Sequence, residues 1–168
     1  MRIEEQVQAL VREYQTSDPE ELARALGMRL YERSDFHQLA GMFARVAGQS
    51  CIFLNASLDD DRRRLILAHE LGHAVLHGAQ EDGVQDVVAF TLLNMTDREE
   101  YEANVFAAHL LLDEAEVHRL AEEGYDIVSL AKMLHTDINL LLIKLHEMQK
   151  KGYAMRLPEK PRANFLEG

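Results

Sequence analysis

The run RRRLILAHELGHAVLHG at residues 62–78 constrains this chain more than any other stretch. Read as a helix, it stacks positions four apart on one face. His69 and His73 then direct their imidazoles to a common point, and Glu70 projects to a flanking side. The flanking residues are apolar, so the helix is half buried, and burying two bare imidazoles and a carboxylate is costly without a partner. Histidines at this spacing suit a zinc ion at Zn–N distances of ~2.0–2.1 Å, with the intervening glutamate placed as a general base. The bland alternative is a polar stripe facing solvent.

Zinc in a hydrolytic site takes three protein ligands and keeps one position open. His77 lies eight residues beyond His69, a rise of ~12 Å along a helix, so it cannot share the ion with both other histidines. The extended motif H-E-x-x-H-x-x-G-x-x-H is excluded by Leu76 and Ala79. The third ligand must come from another segment. Glu102 in REEYEANVFAAHLLL is the first choice, because a carboxylate within an apolar helix demands a partner. Glu99, one turn earlier, is the second choice. The competing reading pairs Glu102 with Arg98 at i−4 as a weak surface ion pair. Ala103, Ala107 and Ala108 would let this second helix approach closely, and Gly72 would help from the other side.

The rest of the chain reads as one acidic globular protein. It has 168 residues, a net charge of −11 and a single cysteine, Cys51. The charge disfavours general nucleic-acid binding. The lone cysteine and an N-terminus without a secretory signal imply a cytoplasmic protein, and no apolar run is long enough to span a membrane. Helices are expected at 3–14 and 18–26. Short strands follow at MRLYER and within GMFARVAGQSCIFLNASL, turning at Gly41 and Gly48. Ser57 would cap the long helix, which should end at Gly78. GAQEDGVQD reads as a loop, VVAFTLL as a strand or buried lip, and Thr96 to Glu99 as a capping box. Helices then occupy most of 99–150. The expectation is an α+β fold, mostly helical, with a small three-stranded sheet beside the HELGH helix. Residues 1–125 would form the core, 126–155 a helical lobe packed on it, and 156–168 a loose tail.

Two separated blocks carry a resemblance to a known family: RRLILAHELGHAVLHG at 63–78 and REEYEANVFAAHLLLDEAEV at 98–117. Together with ELARALGMRL, IFLNASL and SLAKMLHTDINLLLIKLHEM, they resemble the ImmA/IrrE family of zinc metallopeptidases over about residues 20–155. The resemblance implies a gluzincin-like centre with one Zn2+. His69, His73 and Glu102 would be its ligands, Glu70 its general base, and Asn104 would orient a ligand from behind. Leu111-Leu112-Asp113-Glu114 departs from the family's frequent L-L-M-P, which changes how the helix ends and removes no ligand. The resemblance also implies a protein substrate, a helix-turn-helix transcriptional repressor, bound as an extended strand at a sheet edge. CIFLN or a neighbouring strand is the candidate edge. Nine acids between Asp97 and Glu123 would suit a basic partner of that kind.

Tyr101 and His109 are candidates for the cleft wall, and Tyr101 or His37 for steadying an oxyanion. Cys51 reads as buried and inert. SLAKMLHTDINLLLIKLHEM has a helix-turn-helix outline, but Leu140 to Leu145 offer little that can touch bases. Two rival functions stand beside the zinc peptidase. One is a non-catalytic regulator stiffened by zinc; the other is a DNA-binding regulator.

Overall fold

The computed structural model describes residues 1–78, 80–89 and 97–155. The N-terminal helices are α1 (Ile3–Tyr14) and α2 (Pro19–Ala25). Asp18 caps α2 by accepting from the backbone N–H groups of Glu20 and Glu21. Three strands follow: β1 (Arg29–Arg33), β2 (Leu39–Val46) and β3 (Gln49–Asn55). The long helix α3 (Asp60–Leu76) leads to β4 (Gly83–Ala89). The remaining elements of the described residues are helices: α4 (Arg98–Leu111), α5 (Glu114–Glu122), α6 (Ile127–Met133) and α7 (Ile138–Lys150).

The class is α+β, as the residue pattern implies, with one strand more than expected. Among the described residues the sheet has four strands in the order β1-β3-β2-β4. β1 runs parallel to β3, and the other pairs are antiparallel. The additional strand, β4, takes up GVQD, which reads as loop because it carries two polar residues and a glycine. CIFLN lies in β3 between two neighbours, so it is not an edge; the edges are β1 and β4.

Two local expectations change, one for steric reasons and one through hydrogen bonding. Ala47 and Gly48, with φ of 49° and 77°, make the β2–β3 turn, whereas Gly41 lies inside β2. A Cβ on Gly41 would sit 2.5 Å from Ile66 Cγ2 and 3.3 Å from Glu70 Oε1. Glycine is needed there so that the strand can lie against α3. The cap of α3 is Asp59, accepting from the N–H of Arg62, and not Ser57. The hydroxyl of Ser57 is donated to Asn55 instead. Asp97 caps α4; the capping-box residue Thr96, part of VVAFTLL and the tail at 156–168 lie outside the described residues.

α3 is covered on one side by the sheet and on the other by α4. A Cβ on Gly72 would lie 3.0 Å from the Ala103 carbonyl oxygen and 3.2 Å from Phe106 Cβ, so the two helices touch backbone to backbone. Phe106, Leu71 and Leu22 share one buried cluster with Leu130, Leu140, Leu141 and Met148. Leu140, Leu141, Ile143, Leu145 and Met148 of α7 thus face the interior, and Lys144 among them is only 3% exposed. No described helix is long and apolar enough to cross a membrane.

Candidate metal centre

His69 and His73 lie in the buried middle of α3, with Nε2 atoms 3.2 Å apart. Glu100, from the first turn of α4, faces both. Its Oε1 is 3.0 Å from His73 Nε2 and its Oε2 is 3.3 Å from His69 Nε2. Asp86 approaches from β4, with Oδ2 at 3.4 Å from His73 Nε2 and 3.8 Å from His69 Nε2. Among the described residues these four side chains form a group able to hold a metal ion.

The far side of each imidazole fixes which nitrogen carries hydrogen. Asn104 Oδ1 lies 2.8 Å from His69 Nδ1. An amide oxygen only accepts, so Nδ1 donates and Nε2 offers a lone pair. His73 reaches the same state by a longer route. Glu102 Oε2 lies 3.1 Å from His77 Nε2, which must donate to it. Nδ1 of His77 is left as acceptor for the Nδ1–H of His73, 3.2 Å away. Both Nε2 lone pairs therefore face each other and face carboxylate oxygens. Four electron-rich donors at such distances repel unless a cation lies among them, so the residues present fit a divalent metal.

Glu70 completes the site. It is wholly buried, and neither carboxylate oxygen has a hydrogen-bond partner among the described residues. Burial, then the charges of Asp86 and Glu100, push its carboxyl well above the ordinary range. Asp86 is raised to about 6, mainly by burial and against the pull of His73. Burial also opposes the charge on Glu100, whose carboxyl is held low only when the two facing imidazoles are protonated instead of metal-bound. An open depression of about 520 Å³ lies alongside, lined by Phe43, His73, His77, Val84, Gln85 and Glu99 among others.

The structure brings together His69, Glu70 and His73 and places Asn104 behind His69. It does not bring in Glu102. That carboxylate accepts from Arg98 Nε at 2.8 Å and from His77, which lower its pKa, Arg98 foremost. Helical geometry explains the exchange. Glu100, Ala103, Asn104 and Ala107 are spaced i, i+3, i+4, i+7 and form the stripe against α3; Glu102 is ~160° away from Asn104 on the helix circumference. Projecting the stripe from Asn104 would have selected Glu100. Asp86 had no comparable signal, since its segment reads as loop. Glu99 borders the depression without joining the group.

The other candidates lie elsewhere. His109 Nδ1 accepts from Lys144 at 3.1 Å, and its Nε2 faces Glu147. Tyr101 is half-buried near Glu147 and Lys150, and His37 is exposed. Cys51 is buried, and burial raises its thiol pKa.

A Peptidase_M78 family model, described as the IrrE N-terminal-like domain, matches residues 23–148. The chain belongs to this peptidase family. The match spans α3, β4 and α4, which carry all four donors and Glu70. The chain is also similar to an "Uncharacterized immunity region protein 2" of Bacillus phage phi105. The two are 30% identical over 128 residues, covering 76% of this chain and 78% of the phage protein.

Proposed function

We propose that the protein is a zinc-dependent endopeptidase whose substrate is a protein, and that the substrate is a helix-turn-helix transcriptional repressor. The observation that carries the catalytic reading is the pairing of a converging donor set with a buried, unpartnered Glu70. A purely structural metal has no use for a buried base beside it. Family membership supports peptide hydrolysis. The repressor reading draws on the similarity to a phage immunity region protein and on the exposed acids of α5, Glu116 and Glu122, which suit a basic partner.

His69, His73 and Glu100 would hold the zinc, Glu100 because its oxygens lie closest to both imidazoles. When bound, the ion polarises the scissile carbonyl and acidifies a water. Glu70 takes that water's proton and delivers it to the leaving amine nitrogen, a role suited to a carboxyl whose pKa stands above its usual range. Asn104 and His77 keep the two imidazoles turned with Nε2 inward. The depression beside His73 receives the substrate chain.

The test is to incubate the protein with zinc and the repressor encoded beside its gene, then sequence any fragments. Wild type should cut at one bond, a chelator should stop it, and Glu70→Gln should bind zinc while losing cleavage. Equal cleavage by Glu70→Gln would refute the assigned base.

The second reading, a non-catalytic regulator stiffened by zinc, is favoured by one observation: Asp86 supplies a fourth donor, as closed structural sites require.

A further inference from the structure

We propose that Asp86 is a fourth protein ligand that closes the centre at rest and must leave it before substrate is cut. This rests on the three-ligand reading above and adds a resting state to it.

The geometry approaches that of a four-donor shell, with the ligand atoms all within 4.8 Å of one another. Donors bound tetrahedrally to one zinc at ~2.0–2.2 Å stand about 3.3 Å apart along each edge. The two imidazole nitrogens are 3.2 Å apart. Glu100 oxygens lie 3.0 and 3.3 Å from them. Asp86 Oδ2 lies 3.4 and 3.8 Å from the same two nitrogens, so a single oxygen extends the polyhedron at both corners. That oxygen is sealed from solvent and has no hydrogen-bond partner among the described residues. On α3 it faces the two Nε2 lone pairs and the carboxylate of Glu70, whose like charge opposes it. A cation shared with the histidines removes the conflict.

Asp86 is not fixed there as firmly as the helical donors. It sits on edge strand β4, opposite Phe43, beside a register shift between Phe43 and Ala44. Irregularities of this kind re-aim a side chain. Near it, Val84 and Val87 are 61% and 50% exposed, and Gln85 is exposed beside them. A substrate segment pairing with this edge would move the strand that carries Asp86, and so vacate the position that water and carbonyl need. Latency of the free enzyme follows from the ligand count: four protein donors leave no tetrahedral position open.

The experiment measures zinc affinity by competition with a chromophoric chelator, and the visible absorption of the cobalt-substituted protein, for wild type, Asp86→Ala, Asp86→Asn and Glu100→Ala. Circular dichroism checks the fold, and the isosteric Asp86→Asn serves if the alanine variant does not fold. Both Asp86 variants should lose more than threefold in zinc affinity and show an altered cobalt spectrum. At saturating zinc they should cleave repressor faster than wild type, because no fourth ligand has to leave. Affinity within threefold and an unchanged spectrum would overturn the proposal, as would cleavage no faster than wild type at saturating zinc in a folded Asp86 variant that is active. Failure of the underlying metal reading looks different: Glu100→Ala would then also retain full affinity. Absence of cleavage by every protein would count against the peptidase reading, while the affinity and spectral arms still decide on Asp86 as a ligand.

Discussion

The side-chain oxygen of Asn104 lies 2.8 Å from Nδ1 of His69, and both residues are fully buried. This contact sets the tautomer of the histidine and holds its ring against rotation. Replacing a partner of this kind costs about 10–100-fold in metal affinity. Asn104→Ala should therefore weaken zinc binding by about that factor, measured by chelator competition, with little change in helix content. Unchanged affinity would remove Asn104 from the centre.

A parallel chain supports His73. Arg98 donates to Glu102, His77 donates to Glu102, and His73 donates to His77. His77 is a link and not a ligand, so His77→Ala should lower zinc affinity several-fold and leave the ion bound. Glu102→Gln should cost less, because the amide oxygen still accepts from His77. A loss with Glu102→Gln as large as with Glu100→Gln would contradict this order.

The contact between α3 and α4 rests on the missing side chain at residue 72. Gly72→Ala would place a methyl 3.0 Å from the Ala103 carbonyl oxygen and 3.1 Å from Ala103 Cα, both backbone atoms that cannot step aside. The gain in helix propensity is about 1 kcal/mol, and overpacking costs about 1–3 kcal/mol. The helices must part slightly, separating Glu100 from the histidines. Urea denaturation should show a net loss of up to about 2 kcal/mol, with weaker zinc binding beside it.

Far from the centre, Glu147 links α7 to α4. His109 from α4 and Lys150 from its own helix lower its carboxyl to about 2, with Tyr101 of α4 also nearby. A depressed carboxyl stabilises the fold above its unfolded pKa, and that stability is lost as pH falls through the folded value. The contribution should be complete above about pH 5 and vanish by about pH 2. A tenfold change in a carboxyl's proton affinity corresponds to about 1.4 kcal/mol, and solvent screening of this partly exposed group reduces the total to about 1–2 kcal/mol. Glu147→Gln should lose that much at pH 7, with the gap to wild type narrowing between about pH 5 and 2. A gap independent of pH would show that the charge is not the cause.

Much of the architecture is legible in the residue pattern alone. The HELGH helix announces itself by paired histidines, an acidic first turn and a closing glycine. Gly72 opposite Ala103 and Ala107 foretells a close helix crossing. Other features are hidden for definite reasons. In E-x-E-A-N both glutamates look alike as residue types, and only the helical stripe shared with Asn104 separates Glu100 from Glu102. Asp86 lies in a polar, glycine-containing segment that forms a strand because β2 offers it an edge, which local propensity does not reveal. Gly41 resembles a turn residue, yet its need for hydrogen comes from Ile66 and Glu70, which are distant in sequence.

The central claim is that one metal ion sits between His69, His73 and Glu100, next to Glu70. Crystals grown with zinc and measured above and below the zinc absorption edge test it directly. The expected result is a single anomalous peak within about 2.0–2.2 Å of both Nε2 atoms and a Glu100 oxygen. A peak placed instead between His77 and Glu102, or none beside the paired imidazoles in zinc-saturated crystals, would contradict it.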